Sequence, residues 1–183
     1  MIEAKQTISI NSAIENVWGY VNDIQKWASL MPGCRACTVL NPDDSRWTLK
    51  VGAGGLVRTV NVLVHVDQWN GPEQVHFSYK LEADPVVGGG SYVALRKTAQ
   101  ETEVTLKVRV QGSGPMAALW EAMSKPLLPQ LAKSFAGQLK SEIEKATAVP
   151  AFDAGGSDRP SVLGAGIKRL RNLWDHVRMS FTR

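Results

Sequence analysis

Between Cys34 and Gln111 six strand-like runs follow one another, several of them alternating apolar and polar residues, and this period of two limits what the chain can fold into more than any other feature. The runs are 34–41, 46–52, 56–69, 74–83, 90–98 and 102–111. Trp47, Leu49 and Val51 share one side of the second run, and Val60, Val62, Val64 and Val66 one side of the third. Val75, Phe77, Tyr79 and Leu81 do so in the fourth, and Val104, Leu106, Val108 and Val110 in the last. Turn chemistry separates the runs at Asn41-Pro42-Asp43-Asp44, Gly52 to Gly55, Asn70-Gly71-Pro72, Asp84-Pro85 with Gly88 to Gly90, and Gln100-Glu101. Consecutive strands joined by short turns make an antiparallel sheet, and its one apolar face has to be covered.

The flanking segments supply a further strand and the cover. Ile2, Ala4, Ile8 and Ile10 alternate with polar residues as a first strand. Ser12 and Glu15 stand at capping-box spacing before Ile14, Val17, Trp18 and Val21, which predicts a short helix. A second short helix carries Ile24, Trp27 and Leu30 and ends at Met31-Pro32-Gly33. From 115 to 147, Met116, Leu119, Trp120, Met123, Leu127, Leu128, Leu131, Phe135, Leu139 and Ile143 recur at helical spacing. Pro126 and Pro129 predict a break or kink near 124–129, with two helical segments crossing the sheet.

Charge divides the chain unevenly. The net +4 arises from residues 159–183, where six Lys and Arg face Asp175 alone, while the rest of the chain is close to neutral. A uniformly basic nucleic-acid surface is thereby excluded. The segment VPAFDAGGSDRPS reads as a linker, which predicts a domain at 1–147, a flexible link at 148–160 and a basic amphipathic helix at 161–183. On that helix Leu163, Ile167, Leu170, Trp174, Val177 and Phe181 form one stripe, with Lys168, Arg169, Arg171 and Arg178 off it. A helix docked on the body or paired in a coiled coil carries such a stripe too. The linker, the surplus charge and the positions of Trp174 and Phe181 favour a helix lying in the plane of a membrane surface. Lys168, Arg169 and Arg171 at its centre exclude a span. MIEAKQTISI has neither a basic nor an apolar leader region, so a cytoplasmic chain, peripheral on the inner face of the cell membrane, is expected.

Residues that carry chemistry are sparse. Cys34 and Cys37 form a CxxC without a second pair of ligands, and are expected to be buried structural cysteines rather than a zinc or redox site. His65, His76 and His176 are far apart, and none accompanies a nucleophile and an orienting carboxylate. His65 opposes the valine face of its strand and is expected in solvent. The glycine clusters open no helix and precede no phosphate-binding lysine, so they are turns or bulges that let strands bend. No catalytic residue, metal or cofactor is expected.

The order of strand, two short helices, six-stranded meander and long helix is that of the helix-grip fold. Together with WASLMPGCRACTVL, GGGSYVALRK and GSGPMAALWEAMSKPLLPQLAKSFAGQLKSEIE, it makes residues 1–147 resemble CoxG, the accessory-protein family of carbon monoxide dehydrogenase within the START/Bet v 1-like (SRPBCC) superfamily. The resemblance implies an α+β architecture in which a curved seven-stranded antiparallel sheet wraps a long C-terminal helix around a cavity for hydrophobic ligands. The alternation would place Trp47, Leu49, Val51, Val62, Val64, Phe77, Tyr79 and Leu81 on the sheet side of that cavity. Met116, Trp120, Met123, Leu127, Leu131 and Phe135 would line it from the helix.

The family further implies a non-catalytic accessory protein serving a molybdenum hydroxylase of the carbon monoxide dehydrogenase type in carbon monoxide oxidation. The expected ligand is an isoprenoid quinone such as menaquinone, or another lipid. Expected partners are this hydrophobic molecule, the membrane surface and the dehydrogenase, with no nucleic acid. A pure membrane anchor or assembly factor, and a cyclase-like enzyme, are the alternatives.

Overall fold

Every strand-like run is a strand, and the strands lie side by side in an order set by the short turns between them. The computed structural model describes residues 1–53 and 56–148, and the unit that carries the fold is Met1–Val149. The elements are β1 (Ile2–Ile10), α1 (Ile14–Val21), α2 (Ile24–Leu30), β2 (Cys34–Val39), β3 (Asp44–Ala53), β4 (Leu56–Asn70), β5 (Gln74–Leu81), β6 (Val86–Thr98), β7 (Glu101–Gly112) and α3 (Ala117–Thr147). They form one seven-stranded sheet in the order β1-β7-β6-β5-β4-β3-β2, antiparallel throughout. Register puts Trp47 beside Val62 and Val64 beside Tyr79, so apolar side chains meet across strands on one face. This is the expected helix-grip arrangement. The expected linker beyond Ala148 and the helix at 161–183, with its membrane-facing residues, lie outside the described residues, as does His176.

Three local expectations give way to packing. α3 is one continuous helix although Pro126 and Pro129 are inside it. Both prolines, and the Ala122 and Lys125 whose carbonyls lose their N–H partners, are on the exposed side of α3, where water can take the place of the missing bonds. β6 starts at Val86 rather than Gly90, so the three glycines lie within the strand instead of forming a break. The third is the cap of α1. Its N-cap is Ala13 without a side-chain bond, because Ser12 is buried and its Oγ accepts from Asn16 Nδ2 at 3.2 Å. Glu15 pairs instead with Arg96. α2 does have a capped start, as Asp23 Oδ1 accepts from the backbone N–H of Gln25 and Lys26.

Gly33 ends the turn after α2 with φ +82°, and a Cβ there would come within 2.2 Å of the Lys50 carbonyl. Only glycine permits both the left-handed backbone and that approach. The turn is thereby pinned to β3, with Lys50 N–H donating to the Gly33 carbonyl at 2.8 Å.

The apolar face of the sheet divides into two clusters. One joins Ile10, Ile14, Val17, Val21, Leu30, Val104, Leu139 and Ile143, bringing α1 and α2 against the C-terminal part of α3. The other joins Ala4, Val60, Val62, Val86, Val110, Trp120, Leu128 and Ala132 under the N-terminal part of α3.

Candidate ligand cavity

Beneath the N-terminal part of α3 the sheet and helix separate around a cavity of about 200 Å³. Trp47, Leu49 and Val51 line it from β3, Val62 and Val64 from β4, and Phe77, Tyr79 and Leu81 from β5. Trp120, Leu127, Leu131 and Phe135 line it from α3. Two expected lining residues are elsewhere. Met116 precedes the first turn of α3 as its N-cap and is 47% exposed. Met123 is half-buried on the flank of the helix, outside the buried row of Trp120, Ser124, Leu128 and Ala132.

Further residues join the lining beyond those expected. Trp27 and Met31 reach the cavity from α2 and the turn after it, and Val60, Val86, Leu106, Val108 and Val110 from the sheet. Val60, Leu106, Val108 and Val110 obey the same alternation as their neighbours, so their signal is present in the sequence, whereas Val86 falls in the stretch that reads as a break. Ser124, Leu128 and Ala132 complete the helix side. Ser124 and Ala132 are small, and a helix face that ends in a hydroxymethyl and a methyl leaves volume unfilled.

Glycines in β6 create space of a second kind. A Cβ at Gly88 would fall 2.2 Å from the Tyr79 ring, and one at Gly90 would fall 2.6 Å from the Phe77 ring. The two aromatic rings therefore lie across the neighbouring strand's backbone, in positions a side chain on β6 would occupy. These glycines clear room for the rings, and among the described glycines only Gly33 and Gly114 have positive φ.

Polar groups near the cavity are few. Trp47 Nε1–H donates to Ser45 Oγ at 2.9 Å, and Tyr79 O–H donates to the Arg109 carbonyl at 2.8 Å. Burial raises the titration of Tyr79, partly offset by the Arg109 charge, so its hydroxyl stays protonated as a donor. Burial raises Tyr92 as well. Among the described residues, Trp27 Nε1, Trp120 Nε1 and Tyr92 Oη are buried with no hydrogen-bond partner. No Asp, Glu or His is among the described residues that line the cavity. An apolar site of this size matches a ring-sized group, since an apolar cavity of about 150 Å³ accommodates benzene.

The remaining chemistry-bearing residues are apart from the cavity. Cys34 and Cys37 are free and half-buried, less enclosed than expected because β2 is the edge strand. Burial raises both thiols, which disfavours the thiolate that redox or metal chemistry needs. Among the described residues no cluster of His, Cys, Asp and Glu has metal-binding geometry. His65 is on the outer face, its Nδ1 2.8 Å from Asp44 Oδ1.

Residues 1–144 match the family described as polyketide cyclase/dehydrase and lipid transport. The chain belongs to that family. No curated protein matches it at a significant level. Among solved structures, a conserved protein from Geobacillus kaustophilus has a TM-score of 0.69 at 18% identity, over 79% of this chain and 97% of that one. A START superfamily protein from Mycobacterium smegmatis has a TM-score of 0.64 at 14% identity, over 79% and 99%. The Zhui aromatase/cyclase from a Streptomyces species has a TM-score of 0.56 at 16% identity, over 81% and 99%. These likenesses establish the START/Bet v 1-like fold for this member of the cyclase/dehydrase and lipid transport family. The cavity, enclosed by sheet and long helix, is thus in the part of the chain that the family match spans.

Proposed function

We propose that the protein is a non-catalytic carrier that takes a hydrophobic ligand, an isoprenoid quinone such as menaquinone or another lipid, into its cavity. The lining carries this reading: apart from Ser91, Ser124 and Lys107 it is aromatic and aliphatic, with no carboxylate or imidazole among its described residues. Such a site offers partition out of water and no acid–base pair. The basic amphipathic segment 161–183 attaches the carrier to the cytoplasmic leaflet, and the body delivers its ligand to a molybdenum dehydrogenase of the carbon monoxide dehydrogenase type. A quinone otherwise stays in the bilayer, so a soluble dehydrogenase gains access to it through a module that visits the membrane.

Extraction of gently purified full-length protein followed by mass spectrometry tests the carriage. Stoichiometric quinone or lipid is expected, and its absence would count against a carrier and favour a pure anchor or assembly factor for the dehydrogenase. Sedimentation with anionic liposomes tests the tail. Binding should weaken as salt rises and on changing Lys168, Arg169, Arg171 and Arg178 to Glu. Binding indifferent to both would remove the electrostatic attachment.

A cyclase-like enzyme is the second reading, favoured by the cyclase/dehydrase part of the family description. It needs a proton donor or acceptor free to act inside the cavity. Tyr79 is the titratable lining side chain best placed for this, but its O–H is engaged with the Arg109 carbonyl.

A further inference from the structure

The outer face of the sheet carries cations that the fold does not neutralise. Lys107 borders the cavity through its strand, but its side chain is exposed, because it and Arg109 alternate along β7 with the inward Leu106, Val108 and Val110. Lys80 on β5 alternates in the same way with Tyr79 and Leu81, and Lys5 on β1 follows the buried Ala4. All four are exposed, and among the described residues none has an ion-pair partner. Elsewhere on this face Arg46 is paired with Glu82 at 2.8 Å, and Lys97 with Glu103 at 3.7 Å. Lys5 stands directly opposite Lys107, an arrangement of like charges that destabilises a sheet. Of the residues in register with the four, only Glu3, opposite Arg109, is acidic. The strand between β7 and β5 is β6, and there Gly89 lies between Arg109 and Ser78, and Ser91 next to Lys107. Gly89 and Ser91 are buried, so long cationic side chains rise on both sides of a low floor.

We propose that this patch docks the protein that receives the ligand, and that it takes an acidic surface whose Asp or Glu side chains project into the recess. The inference rests on the delivery step of the carrier reading and supplies the face that performs it. Charge is concentrated here although the chain outside 159–183 is close to neutral. A local cluster on a neutral body suits a matching patch on one partner, whereas a polyanion such as nucleic acid is held by a more extended basic surface. A bilayer is gripped by protruding apolar side chains, and this recess has none at its floor. The repulsion between Lys5 and Lys107 is relieved when carboxylates arrive, so stability withheld from the free protein is returned on docking.

Interferometry of the full-length protein against the purified molybdenum dehydrogenase of the same organism tests the proposal. Lys5→Glu combined with Lys107→Glu should weaken binding at least about tenfold at low salt, mainly through slower association, and the loss should shrink as salt rises. Lys125→Glu combined with Lys133→Glu changes net charge equally on the exposed side of α3 and should weaken binding less than about threefold. Lys5→Glu alone sets a carboxylate opposite Lys107, so its melting temperature should hold or rise while binding falls. A melting temperature that fell with the binding would assign Lys5 to the fold and overturn the inference. Equal losses in the two double variants, or none in either, would overturn it too and leave delivery standing. A patch variant that keeps the dehydrogenase but no longer sediments with anionic liposomes would do the same, because the face would then meet the leaflet. No binding by the native protein would overturn delivery to this enzyme and the inference with it.

Discussion

At the end of the interior where α1 packs, Ile10, Val17, Val21, Val104 and Leu139 are all at 0% exposure, whereas Val60, Leu128 and Ala132 around the cavity remain at 8%. Both ends are made by the same sheet and the same helix. At the closed end α1 and α2 contribute Ile14, Val17, Val21 and Leu30 as a third layer of branched side chains. At the cavity end α3 faces the sheet with Ser124 and Ala132, and β6 presents glycines over which Phe77 and Tyr79 are laid. The difference teaches that a cavity here is produced by withholding side-chain volume from one part of an otherwise ordinary core.

Truncating a leucine at each end tests that difference most strongly. Leu139→Ala removes a side chain enclosed on all sides and should cost about 2–5 kcal/mol, the range for cavity-forming substitutions in packed cores. Leu128→Ala only enlarges a space already present and should cost about half as much, since fewer contacts are lost. Urea denaturation of both variants measures the ratio. Equal costs would break the comparison.

Next in size is Gly90→Val. The new side chain collides with the Lys107 carbonyl at 2.2 Å and the Phe77 ring at 2.6 Å, and the carbonyl belongs to a neighbouring strand that cannot easily retreat. A loss of about 1–3 kcal/mol, as for overpacked cores, is expected. Because Phe77 is displaced into the cavity, uptake of an apolar probe should fall with it. A variant of full stability and unaltered uptake would show that the glycines are not what clears the site.

Ala132→Phe fills the space from the opposite wall. The ring enters volume the native helix leaves open, so stability should change by less than roughly 1 kcal/mol. Uptake of the same probe should drop more than about tenfold, because the added ring and the probe need the same room. If uptake survives, the ligand site is not under this part of α3.

Direction of side chains is legible in the sequence, and filling is not. Strand alternation correctly turns Trp47, Val62, Phe77 and Leu81 inward, since a period of two admits only two faces. Helical spacing is less decisive, because a broad apolar stripe includes flanking positions. Met116 and Met123 therefore group with Trp120 in the pattern, although they sit beside the buried row. Apolar bulk points away from Ser124 and Ala132, the small residues that leave the space open. Trp27 is legible as a helix residue, but the approach of α2 to the mouth of the sheet is a tertiary fact with no local period. Pro126 and Pro129 mislead in the opposite direction, since their cost depends on whether water reaches the carbonyls they orphan.

The smallest expected effect is confined to the outer face and serves as a control on the interior. His65 and Asp44 face each other in register on β4 and β3, at 2.8 Å. The bond to Asp44 raises His65 above its ordinary 6.5. Bonds from Asn41 and then His65 hold Asp44 below its ordinary 3.8. A raised histidine contributes its stability below 6.5 and loses it as pH climbs through the raised value. A lowered carboxylate contributes above 3.8 and loses it as pH falls through the lowered value. The pair is thus most favourable between those two limits and fades on either side. The melting temperature of the native protein minus that of His65→Gln should peak in that window and decline as pH climbs through the raised His65 value. The pair is exposed, so the peak is expected to be small and to shrink with salt. Probe affinity should be the same in the window and above it, because no titrating group of the pair reaches the cavity lining. An affinity that followed the melting temperature would mean that the outer and inner faces are coupled through β3 and β4, and the hollow end would then be a feature the pair helps to set rather than a consequence of missing volume alone.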